Sequence, residues 1–454
     1  MNIDDLPQHL LVEILCRLPS SKIVFQCKCV SRRWFALISD PYFVLRFVSL
    51  QKCTTDDVLV QRDADMDAIL FYFNNLIHGR YLIWDYFVMA ALPAKCKSRN
   101  LSLSFLPCFD QTTLPKPRIL GTYNDLILCS TTWEEDYYIC NPYTRQWIAL
   151  PPTPQVHSGP VIRGFMCDHP YYNHEELVGN RTSSNNIKLN AEYRYRVVRI
   201  TAVQENCFQE NYLEFTVEIY SSETGEWRES VISSSRGFSF IPYACTPGVA
   251  YNGMLYWLSS DGLLIGVDPF NNINSSISTG ANTTGDIVVN NESCRFVQFH
   301  KPEYNIEYVQ CLGVCQGRLR MCHYDMEDPF KRGIVCVWEL KEVEEDDQKA
   351  DGIAGRLMKW CLIKKLVLDE MVAENPDIAK WRAEAGWWWL ASVRAFDPND
   401  EDILYLYLDE DIVACNFRTR TSFTRQRTDS EFHPWAKANA FPLSLKRWPT
   451  PLPN

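Results

Sequence analysis

The sequence predicts a small N-terminal all-α module followed by a large all-β domain, a β-propeller with degenerate blades. Three observations carry this prediction. Apolar residues recur at helical spacing within the first 48 residues. From about residue 56 onward, short apolar or alternating runs are separated by turn residues. Along that second part a weak repeat recurs, in which a hydrophobic strand ends in polar residues and an aromatic residue follows.

The composition is that of a globular, non-exported protein. The chain has 454 residues, of which 46% are hydrophobic and 22% charged. Its net charge of −11 disfavours nucleic acid and anionic membranes as partners. The N-terminus has no basic segment before its apolar stretch, and no apolar run approaches the ~20 residues of a membrane span. The 18 cysteines are therefore expected as free thiols in the cytoplasm or nucleus, not in a secreted protein.

The N-terminal module reads as three short helices. Asp5 is expected to cap the first, Pro19 to end it, Ser20 or Ser21 to cap the second, and Ser31 to cap the third. Only a further turn is expected around residues 43–47. A unit this small buries little surface, so it must pack on the next domain or complete its core on a partner.

The repeat in the β region suggests blades. Each unit reads as a hairpin, a strand, a tight turn and a strand with an inward Trp, as at Trp147 and Trp227. The strand-turn element occurs at residues 137–147, 217–227 and 413–423, in part at 264–270, and the preceding hairpin signal at 123–126, 251–254 and 315–318. Their irregular spacing predicts insertions at residues 169–190, 271–291 and 341–356.

The side chains that suggest chemistry have simpler explanations. Cys311, Cys315, Cys322 and His323 invite a zinc site, but they lack paired knuckles, and core packing is the preferred interpretation. His169 and His174 lie in a polar stretch that is expected to be a solvated loop. Residues 387–389, three consecutive tryptophans, are either a stacking platform or a buried strand. No catalytic residue, metal or cofactor is predicted.

The first 43 residues resemble the F-box. The motif L-P-x-x-L-L-x-E-I-L-x-R-L-P is followed by C-x-C-V-S-R-R-W-x-x-L-I-x-D-P-x-F, from Leu6 to Phe43. The remainder resembles the F-box-associated domain common in plant F-box proteins, through residues 138–152, 217–227, 251–257 and 448–451. That resemblance implies a kelch-like β-propeller. It divides the chain into an F-box (1–48), a connector with first β-strands packing on the propeller (49–105) and the propeller-like domain (106–454).

The resemblance implies a non-catalytic role. An F-box binds the Skp-type linker subunit of a cullin–RING ubiquitin ligase, so the chain is expected to recruit an unidentified target protein for ubiquitination. The residues carried over as linker-binding are Leu6, Pro7, Leu10, Glu13, Ile14, Leu15, Leu18, Pro19, Val30 and Trp34. Surplus apolar surface is expected from Leu6, Pro7, Leu10, Ile14, Leu15, Val30, Trp34 and Leu37. Leu11, Leu37 and Ile38 equally suit an internal core.

Two other functions stay open. One is a propeller-based oxidase or hydrolase with an appended F-box, and the other is an adaptor that binds a carbohydrate or small molecule. The sequence identifies neither the target protein nor the loops that would bind it.

Overall fold

The computed structural model describes most of the chain. Outside the described residues lie 1–2, 54–65, 75, 78–79, 82–85, 92–102, 108–117, 131–135, 156–160, 170, 175–186, 191, 203–210, 240–247, 259–262, 272–293, 299–308, 326–333, 344–356, 368–391, 409–410, 428–436, 446–447 and 453–454. The tryptophans at 387–389, considered above as a stacking platform, are among them.

The N-terminal module contains four α-helices among its described residues. After a 3₁₀ turn at Ile3–Asp5 come α1 (Gln8–Cys16), α2 (Ser21–Cys27), α3 (Arg32–Ser39) and α4 (Pro41–Cys53). The fourth helix replaces the short turn that the sequence predicted. Its start is favoured by Pro41 in the first position and by the Asp40 carboxylate, which accepts the Tyr42 N–H at 2.8 Å. None of the helices described is long and apolar enough to cross a membrane.

Two of the predicted helix caps are present. The Ser20 hydroxyl accepts the Ile23 N–H at 3.4 Å at the start of α2, and the Ser31 hydroxyl accepts the Trp34 N–H at 3.2 Å at the start of α3. The predicted Asp5 cap is wrong. Asp5 belongs to the 3₁₀ turn, and Pro7 precedes α1 without a side-chain cap.

Five four-stranded antiparallel sheets make up most of the described β domain. We number them as blades 1 to 5, and in each blade the strands pair in chain order. Blade 1 contains β5 (Arg118–Tyr123), β6 (Leu126–Ser130), β7 (Tyr137–Asn141) and β8 (Gln146–Ala149). Blade 2 contains β9 (Val161–Cys167), β12 (Tyr195–Ala202), β13 (Asn211–Ser221) and β14 (Glu226–Ser239). Blade 3 contains β15 (Val249–Tyr251), β16 (Met254–Leu258), β17 (Leu263–Val267) and β18 (Cys294–Gln298). Blade 4 contains β19 (Val309–Cys315), β20 (Arg318–Asp325), β21 (Ile334–Val343) and β22 (Leu357–Val367). Blade 5 contains β23 (Ser392–Phe396), β24 (Ile403–Leu408), β25 (Asp411–Asn416) and β26 (Thr421–Arg427).

A three-stranded sheet joins the two ends of this series. It contains β1 (Met66–Asn74), β4 (Tyr86–Ala91) and β27 (Lys437–Leu445), and we call it the closing sheet. β1 pairs with β27 along its full length, antiparallel. The first strands of successive blades lie next to one another, and β27 lies between β23 and β5. The five-bladed β-propeller is thus completed as a ring by strands from both ends of the β domain.

Two small two-stranded sheets lie outside the five blades and the closing sheet. β2 (Leu76–Ile77) pairs with β3 (Arg80–Tyr81), and β10 (Tyr172–His174) pairs with β11 (Ile187–Leu189). The second hairpin lies in the predicted insertion at 169–190, between the first two strands of blade 2. The other two predicted insertions span most of the links between the third and fourth strands of blades 3 and 4.

The repeat seen in the sequence corresponds to two kinds of turn. The hairpin signals join the first and second strands of blades 1, 3 and 4, where Asn124, Asn252 and Gln316 have positive φ. In blades 1 and 5 the polar residue at the end of the third strand closes the next turn with its side chain. Asn141 accepts the N–H groups of residues 143 and 144, and Asn416 accepts those of residues 418 and 419.

These turns define one face of the ring. In a four-stranded antiparallel blade, the turns between strands one and two and between strands three and four leave from the same end. We call this the turn face. The links between strands two and three, and those between blades, leave from the opposite face.

Of the two tryptophans that were predicted to point inward, Trp147 and Trp227, only one does so. Trp257 and Trp338 are buried on β16 and β21, and Trp227 packs on Tyr137 of the preceding blade, with ring centroids 6.1 Å apart. Trp147 was expected to point inward but is 41% exposed. Its ring packs edge-on against Tyr138 of the same blade, with ring centroids 5.9 Å apart.

A buried ion cluster joins blades 4 and 5. Arg320 of β20 is 3% exposed and donates to one Glu339 carboxylate oxygen at 3.1 and 3.0 Å and to Glu401, before β24, at 3.0 Å. Arg318 and Lys341 reach the other Glu339 oxygen at 3.0 and 3.6 Å. Burial raises the pKa of Glu339, but the hydrogen bonds and charges of Arg320 and Arg318 outweigh it and hold that pKa below its ordinary value.

Candidate functional site

The helical module and the turn face share one hydrophobic core. Leu11, Leu15 and Ile38 of the module are buried in the same cluster as Tyr171 and Tyr193 of blade 2. The module's helices therefore pack on the propeller. This is the first of the two alternatives that the sequence left open, packing on the next domain or completing the core on a partner. The predicted internal positions Leu11, Leu37 and Ile38 are all buried.

Part of the predicted linker-binding set forms an exposed apolar surface. Leu10, Ile14 and Val30 are 44%, 45% and 59% exposed. Leu10 and Ile14 are four residues apart on α1 and so share one helix face. Arg33 donates to the Leu6 carbonyl at 2.7 Å, which brings the start of α3 beside the start of α1. Apolar side chains this exposed in neighbouring elements are typical of a protein-binding surface.

The other predicted residues differ in exposure. Pro7 and Pro19 are exposed, while Leu6, Glu13 and Leu18 are half-buried. The expectation that Leu15, Trp34 and Leu37 are exposed is wrong. They are 2%, 6% and 4% exposed, because the inner side of the helical stripe packs on the module's own core and on the propeller.

Glu13 links two helices of the module. Arg46 of α4 donates to its carboxylate at 2.9 Å, and Arg17 approaches it at 3.6 Å. The hydrogen bond from Arg46 lowers the pKa of Glu13, so this carboxylate is ionised at neutral pH. The pair ties α1 to α4 beside the exposed apolar positions.

The sequence analysis missed a third component of this region, the C-terminal strap of residues 448–452. Trp448 is 2% exposed and lies among aromatic rings of α2 and α4. Its ring centroid is 4.9 Å from that of Phe25, 5.9 Å from Phe43 and 5.3 Å from Phe47. Residues 448–451 were noticed in the sequence only as part of the resemblance. The available signal was a tryptophan followed by a proline-rich stretch, Pro449-Thr450-Pro451.

The second half of the strap is bound by blades 1 and 2. The buried Asp125 carboxylate accepts the Thr450 N–H at 2.7 Å and also the Thr450 hydroxyl. Asn141 donates to Asp125 at 2.8 Å and to the Thr450 carbonyl at 3.0 Å, and Tyr193 donates its hydroxyl to the Pro451 carbonyl. Burial raises the pKa of Asp125, and the hydrogen bonds from Thr450 offset part of that effect.

The cysteine cluster is part of a blade core. The Cys311 and Cys322 sulfurs are buried opposite each other on β19 and β20, 3.3 Å apart, and Cys315 is buried as well. His323 is buried and stacks on Trp338, with ring centroids 6.1 Å apart. Among the described residues, no group of three or more His, Cys, Asp or Glu side chains is arranged to hold a metal ion.

Comparison with known proteins identifies the family. The family model described as F-box protein At3g26010-like, beta-propeller matches residues 94–440, more than half of the chain. The chain belongs to this family. A model of the F-box-like domain matches residues 3–50 as well. Both the F-box and the β-propeller predicted from the sequence are thereby confirmed for this F-box protein.

The relatives of this F-box protein are F-box proteins of Arabidopsis thaliana. F-box protein At5g49610 is 28% identical over 56% of this chain and 58% of its own length. F-box protein At3g26010 is 26% identical over 58% of this chain and 51% of its own length. The putative F-box/kelch-repeat protein At1g15680 is 26% identical over 59% of this chain and 57% of its own length. The chain thus spans somewhat more than half the length of these relatives.

Solved structures resemble the chain only distantly. Apo AztD from Citrobacter koseri has 9% identity and a TM-score of 0.30, and it covers 82% of this chain and 84% of its own. A likeness at that score adds nothing to the account of the fold or the site.

Proposed function

We propose that this F-box protein is a substrate-recruiting adaptor of a Skp–cullin–F-box ubiquitin ligase. The observation that carries the proposal is the exposed apolar surface at Leu10, Ile14 and Val30, on an F-box whose buried side chains pack in a core shared with the propeller. Side chains that the fold does not need for its core, and leaves in water, are available to a partner helix. The Skp-type linker subunit is that partner.

In this proposal the chain performs no chemistry of its own. The linker connects the F-box to the cullin–RING part of the ligase, and the propeller holds the target protein. Ubiquitin transfer then accelerates because the target lysine is kept at a high local concentration near the activated ubiquitin thioester.

The topology supports a location for the target. The helical module and the strap contact the turn face, at Tyr143, Asp125 and Asn141 of blade 1. A target bound at the opposite face would lie across the ring from the module and its linker-binding surface. That face begins at the strand ends Ser130, Tyr137 and their counterparts in the other blades. We place target binding there.

A paired substitution tests the linker contact. Leu10→Ala combined with Ile14→Ala removes much of two exposed apolar side chains and leaves the buried Leu15 in place. Truncating each costs ~1–2 kcal/mol of binding, so linker affinity is expected to fall ~30-fold or more. The measurement is titration of the purified chain with a Skp-type linker subunit.

The matched control is Val231→Ala on β14 of blade 2, since Val231 is 42% exposed and lies outside the module. It is expected to leave linker affinity within twofold of the wild type. Equal affinities for the wild type and the double variant, with circular dichroism unchanged, would refute the adaptor assignment.

A further inference from the structure

The C-terminal strap contacts both parts of the protein at once. Its first residue, Trp448, follows β27 of the closing sheet and packs on α2 and α4. Its centre, Thr450, is bound by Asp125 and Asn141 of blade 1. One five-residue segment therefore bridges the helical module and the ring.

The strap is held in place by two different kinds of interaction. At Trp448 the contact is aromatic, and Lys28 of the module lies over the same cluster, its ammonium 4.6 Å from the Phe25 ring centroid and 6.0 Å from that of Trp448. At Thr450 the contact is a buried hydrogen-bond network around the Asp125 carboxylate. Buried polar networks demand specific geometry, so this end fixes where the strap lies.

A further contact beside the strap also holds the helical module against blade 1. The hydroxyls of Ser21 at the start of α2 and of Tyr143 in the last turn of blade 1 are 3.1 Å apart. The orientation of the module is therefore set by noncovalent contacts, of which the strap supplies the aromatic centre.

We propose that the strap is a positioning element that fixes the orientation of the F-box relative to the propeller. This rests on the proposed adaptor function for its biological meaning. Through a fixed orientation, the linker-binding surface and the target face keep a constant distance and direction, so that ubiquitin reaches a narrow set of lysines. Proximity catalysis depends on such geometry more than on affinity.

The test compares Trp448→Ala and Thr450→Val with the wild-type full chain. Thr450→Val keeps the aromatic contact and removes one donor to Asp125, so it remains informative should the larger truncation unfold the module. Trp448→Phe is the conservative variant, and Trp147→Ala is the matched control, since Trp147 is an exposed tryptophan outside the interface.

Two readouts report orientation and local opening. Lysine–lysine cross-linking with mass spectrometry maps the contacts between residues 3–53 and the ring. Amide hydrogen exchange follows α2 and α4, with β16 and β20 as the reference. In Trp448→Ala we expect new cross-links to ring lysines and at least tenfold faster exchange in α2 and α4, with the reference strands unchanged. Thr450→Val should change both readouts in the same direction as Trp448→Ala, but by a smaller amount. Trp448→Phe should give the wild-type pattern.

Titration with the Skp-type linker subunit separates the two proposals. A wild-type chain that fails to bind the linker overturns the adaptor function. In that case cross-linking and hydrogen exchange still test whether the strap positions the module. Cross-links and exchange equal to wild type in both Trp448→Ala and Thr450→Val overturn the positioning role. Loss of linker binding in those variants overturns it too, because Trp448 would then be needed to fold the module rather than to orient it.

Discussion

Replacing Arg320 by Met isolates the contribution of the ion cluster between blades 4 and 5. Arg320 is 3% exposed and gives Glu339 two of its hydrogen bonds, at 3.1 and 3.0 Å. Removing one partner of a buried pair costs ~3–5 kcal/mol, because the remaining charge stays out of water. Arg318 still reaches Glu339 at 3.0 Å in the variant, so the lower end is expected, ~3 kcal/mol.

Thermal unfolding measures the effect. For a chain of this size the unfolding entropy is about 1 kcal/mol per kelvin, so ~3 kcal/mol corresponds to a fall in Tm of about 3 °C. The matched control is Lys341→Met, which removes a cation 3.6 Å from the same carboxylate but 46% exposed. An exposed pair contributes ~0–1 kcal/mol, so this variant should melt within about 1 °C of the wild type.

The penalty of Arg320→Met should depend on pH. In the wild type the pKa of Glu339 is lowered, so its pairing stabilises the fold above the ordinary Glu pKa and is lost as pH falls through the lower folded value. Without Arg320 the pKa of Glu339 is higher, because burial still raises it while the lowering effect of Arg320 is gone. Glu339 is therefore protonated at a higher pH in the variant than in the wild type. The gap in Tm between variant and wild type should therefore be full at pH 7 and shrink towards pH 4. A gap that is constant with pH, or as large for Lys341→Met, would refute this reasoning.

Two glycine substitutions address different constraints in the blades. Gly164→Ala on β9 places a Cβ 2.5 Å from the Trp257 ring, and we expect a loss of ~1–3 kcal/mol with a shift in tryptophan fluorescence. A fluorescence spectrum identical to that of the wild type would contradict this close contact. Gly225→Ala meets no atom within 4 Å but keeps φ at +70°, so we expect ~1–2 kcal/mol from the backbone alone and unchanged fluorescence. Chemical denaturation measures both, and no loss for Gly225→Ala would mean that the turn changes conformation.

The blade turns were predictable because their chemistry is local. A polar side chain such as Asn141 or Asn416 closes a turn with N–H groups two and three residues further on. The Asn-Gly turn before β16 likewise needs no distant contact. The closing sheet was beyond such reasoning, since β1 and β27 are neighbours only after five blades have been arranged in between.

Burial of the candidate site was harder to predict than its helices. Periodicity places Ile14 and Leu15 in one apolar stripe, yet the first is 45% exposed and the second 2%. The exposures differ because Leu15 lies in the core that the module shares with the propeller and the strap, whereas Ile14 does not. The helical pattern alone does not show on which side that core lies. Trp147 and Trp227 show the same limit, because similar strand-turn patterns precede both, yet Trp147 is 41% exposed while Trp227 packs on Tyr137 of the neighbouring blade.

The pairing of β1 with β27 also constrains the order in which the protein can fold. β27 follows all five blades in the chain, so during synthesis β1 waits for its partner until those blades have left the ribosome. Contacts between such distant segments form late and slowly. Until then the edge of β1 that receives β27 stays unpaired, and chaperone binding or aggregation of the nascent chain is expected to concentrate on that edge.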